Sequence, residues 1–229
     1  MEESGLVPFQ KESIKAIAFD IDGTIFSSED IILETYIEAF QEYRNSKKSD
    51  LKIPDRASIM DQIGKPVKTI FLNLIPEVPE IERDAISDTI LQILCRRIES
   101  GAGKMYPGIQ EGIETLHKKG FKIFAASNGR IPYIISILRT SKTLQFFNDL
   151  ATLDYDKLNV KADLLNFYKQ KYNFLGSEIL MVGDRYSDYE AAVVASCPFA
   201  FCEYGHSNPG EITESSIQLK EFKDLLKYL

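Results

Sequence analysis

The sequence predicts an α/β fold: a parallel sheet core interrupted by an all-helical insert. Three observations carry this. Short runs that are apolar on both faces, Ala16-Ile17-Ala18-Phe19, Phe121 to Ala126 and Glu178 to Val182, read as strands buried in a parallel sheet. From Tyr106 onward, strands and helical patterns alternate, the arrangement of parallel strands joined by right-handed crossovers. Between the first strand and the second lie about eighty residues of helical pattern, far more than a single crossover helix needs.

Composition narrows the class. At 229 residues the chain fits one large domain or one domain carrying a smaller one. Its net charge is 27 − 34 = −7 and no basic stripe stands out, which argues against nucleic acid or an anionic membrane as partner. Three cysteines, Cys95, Cys197 and Cys202, are an odd number without CxxC spacing. A disulfide framework or zinc site is not expected, and a reducing cytoplasm is the natural compartment. Two histidines, His117 and His206, exclude a His-rich metal site. No apolar run is long enough to cross a bilayer, and the first residues lack the apolar core of a signal peptide.

The elements follow in order. Residues 1–14 read as a polar lead-in, and the first strand runs to about Asp20. Ser27 and Asp30 have the spacing of a capping box. Leu33, Tyr36, Ile37 and Phe40 then recur at i, i+3, i+4 and i+7, an amphipathic helix that fades in the polar run from Arg44 to Asp50. Pro54 and Asp55 open a short helix from Arg56 to Gln62, and Ile63-Gly64-Lys65-Pro66 breaks the pattern. A third helix spans Val67 to Ile75, stopped by Pro76 and Pro79. Ile86, Ile90, Ile93 and Leu94 mark a fourth, from about Glu80 to Glu99. Ser100-Gly101-Ala102-Gly103 is a flexible joint. A helix from Ile109 to Lys119 ends at Gly120. After the second strand, Pro132 to Leu138 and Leu144 to Phe147 read as helical, Leu150 to Leu153 as a short strand and Val160 to Lys171 as a helix. The strand Glu178 to Val182 precedes a helix from Tyr189 to Ala195 and a last strand from Pro198 to Cys202. The tail, Ser215 to Tyr228, is expected to be an amphipathic helix with Ile217, Phe222, Leu225 and Leu226 apolar.

Polar clusters stand where the buried strands stop: Asp20-Ile21-Asp22-Gly23-Thr24, Ser127-Asn128-Gly129 and Gly183-Asp184, the last extending to Asp188. In open α/β sheets that edge is where ligands bind. With a period of two, Asp20 and Asp22 point the same way, and Gly23 lets the backbone turn sharply out of the strand. Lys161 starts a helix and reaches over the same edge; Lys157 is its rival four residues earlier. Taken singly, each cluster has a plainer reading. Asp-x-Asp-Gly and Ser-Asn-Gly form turns, Lys161 is a solvated helix lysine, and Asp184 with Asp188 suits a helix N-terminus. A calcium loop needs further oxygen ligands, and Ile31-Ile32-Leu33 supply none. The plainer readings lose because they must all hold at once at one sheet edge. His117 and His206 receive no role, Cys95 reads as core, and nothing marks Cys197 or Cys202 as reactive.

The set resembles the haloacid dehalogenase (HAD) superfamily, in its phosphatase branch. That family's motifs, DxDGT, a Ser or Thr after the second strand, a Lys and GDxxxD, stand here in order as Asp20 to Thr24, Ser127, Lys161 and Gly183 to Asp188. The resemblance covers the chain from about Ala16 to Leu229. One departure is Ala162 after the lysine, where many relatives have proline. Tyr106-Pro107-Gly108 and Glu203-Tyr204-Gly205 look like phosphoglycolate phosphatase and beta-phosphoglucomutase relatives. The resemblance implies a Rossmann-like core domain, residues 1–26 and 102–229, with an inserted helical cap domain, residues 27–101. It implies a magnesium-dependent phosphatase that hydrolyses a small phosphorylated metabolite, phosphoglycolate-like, through an aspartyl phosphate. Asp20 is then the nucleophile, ionised at neutral pH and needing no base. Asp22 protonates the leaving oxygen and later takes a proton from water. Mg2+ is held by Asp20, the Asp22 backbone carbonyl and Asp184, with Asp188 as a direct or outer support. Ser127, Asn128 with the amides near it, and Lys161 bind the phosphate oxygens.

Two other functions share these motifs: a phosphomutase acting on a sugar phosphate, and a non-catalytic sensor of a phosphorylated metabolite, for which a lost motif would be the sign. A dehalogenase attacking carbon needs neither Asp22 nor a metal. Substrate choice is expected in the cap, where Lys65 or Lys68 would meet a second anionic group on the substrate. The expected partner is a small molecule, bound by a monomer or homodimer.

Overall fold

The computed structural model describes residues 5–153 and 158–229. Lys157, the rival lysine, lies outside the described residues. A short 3-10 turn, Lys11–Ser13, precedes strand β1 (Ala16–Phe19). The chain leaves β1 through Asp20 to Ile25 into a two-residue strand, β2 (Phe26–Ser27), and helix α1 (Glu29–Lys47). Helices α2 (Arg56–Met60), α3 (Val67–Leu74) and α4 (Glu80–Glu99) follow. Strand β3 (Lys104–Met105) then returns antiparallel to β2, so the helical insert leaves and re-enters the core through one two-stranded ribbon. Strands this short carry no periodicity, so only the flexible joint at residues 100–103 marked this return in the sequence.

The core resumes with α5 (Ile109–Lys118), β4 (Lys122–Ser127), α6 (Ile131–Thr140), β5 (Asp149–Thr152), α7 (Lys161–Tyr172), β6 (Ile179–Gly183), α8 (Tyr186–Ala195) and β7 (Phe199–Cys202). The expected tail helix is corrected. Ile217–Leu219 is an eighth strand, β8, parallel to β7, and only Leu225–Tyr228 at the end, α9, is α-helical. The reason is local: Ile217 and Leu219 are buried while Gln218 between them is exposed, a period of two. Glu221 and Asp224 then cap a new start, with the Asp224 carboxylate accepting from the Lys220 and Glu221 amides.

The six strands run parallel in the order β5-β4-β1-β6-β7-β8. Both faces are covered, which is why the strands read as continuous apolar runs. Ile17 and Phe19 of β1 join the core under α5, α6 and the tail, while Ala16 and Ala18 join Leu164, Leu165 and Tyr168 of α7 and Ala191 and Ala195 of α8. In the insert, Arg97 on α4 pairs with Glu34 and Glu38 on α1, and Tyr36 stacks on Phe71 of α3 at 6.0 Å between centroids and 8° between planes. No helix among the described residues is long and apolar enough to cross a membrane.

Candidate active site

Strand register brings the polar clusters together. Phe19 lies level with Ala125 on β4 and Val182 on β6, so Asp20, Ser127 and Asp184 all emerge within two residues of one level at the carboxyl edge. The side chains there are buried: Asp20, Ser127, Lys161, Asp184 and Asp188 are each no more than 5% exposed.

Lys161, the first residue of α7, places its ammonium between two carboxylates, 2.8 Å from Asp20 Oδ1 and 2.5 Å from Asp188 Oδ1. Burial alone would lower its pKa, but the Asp188 and Asp20 charges outweigh it and hold the lysine above its ordinary range. Helix α8 begins three residues earlier than the sequence suggests, at Tyr186, so Asp188 falls in its first turn. Its Oδ2 accepts the Asp184 and Arg185 amides at 3.0 and 2.9 Å. Asp184 accepts from Thr24 Oγ1 at 3.3 Å and from the His206 amide at 2.7 Å. Gly23 is the pivot: its φ is +88°, and a Cβ there would fall on the Asp184 carboxylate.

Asp20, Asp184 and Asp188 offer oxygens all within 4.8 Å of one another. Among the described residues a single lysine ammonium stands against these three carboxylates, and the excess negative charge is felt. Burial first, then the Asp188 and Asp20 charges, push Asp184 well above the usual carboxylate range. Burial pushes Asp188 up to about 6, with Lys161 pulling the other way. An all-oxygen, anionic and buried donor set of this kind fits a hard divalent cation.

Asp22 sits in different surroundings. Ser28 donates to it from its amide (3.2 Å) and its hydroxyl (2.9 Å to Oδ2), and Tyr133 on α6 donates its hydroxyl to Oδ2 at 2.9 Å. Neither partner was expected. Ser28, rather than Ser27, is the N-cap of α1, and it spends its hydroxyl on Asp22 instead of on the helix.

The remaining residues divide. Ser127 Oγ accepts the Gly129 amide at 3.1 Å. Asn128 bridges to the insert, donating Nδ2 to the Gly64 carbonyl at 2.8 Å, while its Oδ1 is buried without a partner. Arg130 and Asp88 (2.5 Å) and Arg185 with the Ile63 carbonyl (3.1 Å) add further ties between core and insert. Between them lies a cleft lined by Asp20, Asp22, Ser127, Asn128 and Tyr133 from the core and by α1, α3 and α4 from the insert. It encloses about 110 Å³, less than the roughly 150 Å³ of a cavity that admits benzene. Lys65 lines it, with its ammonium 2.9 Å from Asp61 and 3.3 Å from Gln62. Lys68 does not. It is 79% exposed, pairs with Glu80, and is absent from the cleft wall because its position on α3 faces solvent.

A parallel sheet with buried carboxylates and a lysine at its carboxyl edge, under a helical insert, is the frame of a hydrolase family. The chain belongs to the haloacid dehalogenase-like hydrolases, whose family model matches residues 14–196. It is 26% identical over 228 residues to a phosphoglycolate phosphatase from Vibrio parahaemolyticus, covering 92% of this chain and 96% of that one. It is 24% identical over 221 residues to the pyrophosphatase PpaX of Anoxybacillus flavithermus, covering 95% and 97%. A crystal structure of a predicted phosphoglycolate phosphatase from Haemophilus somnus superposes with a TM-score of 0.81 at 19% identity, covering 94% of this chain and 97% of that one.

Proposed function

We propose that the protein is a magnesium-dependent phosphatase that hydrolyses a small phosphate monoester through an aspartyl phosphate. The observation that carries this reading is the unlike surroundings of two aspartates one residue apart: Asp20 meets a lysine ammonium and lies within 4.8 Å of two further carboxylates, whereas Asp22 meets hydroxyl donors. The Asp20 carboxylate attacks phosphorus, the bond from phosphorus to the leaving oxygen breaks, and that oxygen takes its proton from Asp22. Water then attacks the aspartyl phosphate, giving its proton to Asp22 and releasing inorganic phosphate and free Asp20. Ser28 and Tyr133 hold Asp22 in place for both proton transfers.

Lys161 and the Ser127 hydroxyl are assigned to the phosphate oxygens that do not react, together with amides near Asn128. The Asn128 side chain ties the core to the insert through one N–H to Gly64, and its second N–H is assigned to the phosphate. Asp20, Asp184, the Asp22 backbone carbonyl and, directly or through water, Asp188 would hold Mg2+, which when bound neutralises charge on the phosphate and the carboxylates. Residues 27–101 act as the cap, residues 1–26 and 102–229 as the catalytic core, and substrate choice falls to the cap side of the cleft. The names of the similar proteins, phosphoglycolate phosphatase and pyrophosphatase, support phosphate release as the reaction.

The test is phosphate release from a generic aryl phosphate with Mg2+, for wild type and Asp20→Asn. The expected loss in kcat for Asp20→Asn is on the order of 10⁴-fold or more, and retained turnover contradicts the assignment. Isomerised sugar phosphate in place of free phosphate would mark a phosphomutase instead.

A further inference from the structure

The cap side of the cleft is nearly all apolar. Ile63, Ile70, Phe71, Ile90, Leu91 and Leu94 face the space where the leaving group must lie. Two hydroxyls interrupt them. Tyr36 on α1 and Ser87 on α4 both line the cleft and are only 6% and 7% exposed. Neither hydroxyl has a partner among the described residues. The stacked Phe71 ring fixes the Tyr36 ring. Burial, and after it the Asp22 charge, raises the Tyr36 phenol, so it stays a neutral donor. Both hydroxyls open onto the cleft, where water can meet them, and a ligand that displaces that water must replace its hydrogen bonds.

Cations are the other half of the argument. Among the described residues, Lys65 and Arg130 are the cations that line the cleft. Lys65 is held by Asp61 and Gln62, and Arg130 by Asp88. A substrate carboxylate would sit beside apolar side chains and near Asp22, with each nearby cation already facing an acidic residue.

Resting on the phosphatase reading above, we propose that the leaving group of the substrate is small and uncharged: an apolar body with one or two oxygens that meet the Tyr36 and Ser87 hydroxyls, and no carboxylate. Tyr36 and Ser87 are then specificity-determining residues, and the expected pairing of Lys65 with a second anionic group does not operate.

The experiment compares kcat/KM, with Mg2+, for 2-phosphoglycolate, its uncharged methyl ester and propyl phosphate. The methyl ester should exceed 2-phosphoglycolate by roughly tenfold or more, because an unpaired charge is the heavier penalty. Tyr36→Phe, and separately Ser87→Ala, should lower the ratio of methyl ester to propyl phosphate by about three- to tenfold, as the loss of a hydrogen bond predicts. Lys65→Ala should leave the ratio of methyl ester to 2-phosphoglycolate where it was. A preference for 2-phosphoglycolate, or its loss on Lys65→Ala, overturns the proposal while leaving the phosphatase standing. Ratios indifferent to both hydroxyl variants overturn the roles of Tyr36 and Ser87. Hydrolysis of none of the three esters, nor of an aryl phosphate, overturns both the phosphatase reading and this one.

Discussion

The sheet rim and the cap wall face each other across one cleft and are built of opposite materials. At the rim, Asp20, Lys161, Asp184 and Asp188 are buried, and each is fixed by a partner with a direction: an ammonium between two carboxylates, amides on Asp188, an amide and a hydroxyl on Asp184. On the wall, apolar side chains from α1, α3 and α4 meet the cleft with shape and little else. Phosphoryl transfer needs reacting atoms held to a fraction of an ångström, whereas an apolar surface tolerates swaps of similar volume. Under the proposed phosphatase reading, the rim governs whether the reaction runs and the wall governs on what.

Several substitutions would break or sharpen that contrast. The largest effect is expected at Lys161. Lys161→Met keeps the length and removes the charge, leaving Asp20 and Asp188 buried against each other. Activity should fall by on the order of 10³-fold and stability by about 3–5 kcal/mol, read by phosphate release and thermal unfolding; a variant as stable as wild type would show that the carboxylates do not depend on the lysine. Next comes metal and pH. Asp188 has its folded pKa raised to about 6 from 3.8, so across that window the folded protein binds more protons than the unfolded one. Its contribution to stability is complete below the lower value and is lost as pH rises through the upper one. Mg2+ requires the deprotonated form. Addition of Mg2+ should therefore raise Tm little at pH of about 4.5 and increasingly as pH passes through about 6. A pH-independent rise in Tm would place the cation elsewhere. Tyr133→Phe removes one donor to Asp22 and should lower kcat roughly tenfold, with KM little changed; an equal change in KM alone would make Tyr133 a binding residue. Least of all, Lys68→Ala, outside the wall, should leave kcat/KM within about twofold of wild type.

The same contrast explains what could be read from the sequence. The rim was legible because β1, β4 and β6 are buried on both faces and end abruptly, so Asp20, Ser127 and Asp184 mark their own positions. Ser28 and Tyr133 were not legible. Their contact with Asp22 is long-range for Tyr133, 111 residues apart, and a serine at a helix start or a tyrosine on an amphipathic helix has a plainer reading. The cap was legible as four helices but not as a wall, since which face of α3 turns inward depends on its packing against α1 and α4. That is why Lys65 and Lys68, three residues apart, could not be told apart in advance. The tail failed for a different reason: Ile217, Phe222, Leu225 and Leu226 fit a helical stripe, yet Ile217 with Leu219 fits a strand, and the open edge of β7 decided between them.

The central claim, that Asp20 carries the phosphoryl group, is tested most directly by rapid acid quench of the enzyme turning over a phosphate ester labelled with radioactive phosphorus. The account predicts label bound to the protein, released by hydroxylamine as an acyl phosphate is, mapped to the peptide containing Asp20 and absent from Asp20→Asn. Turnover in wild type with no bound label, or label that persists in Asp20→Asn, would contradict it.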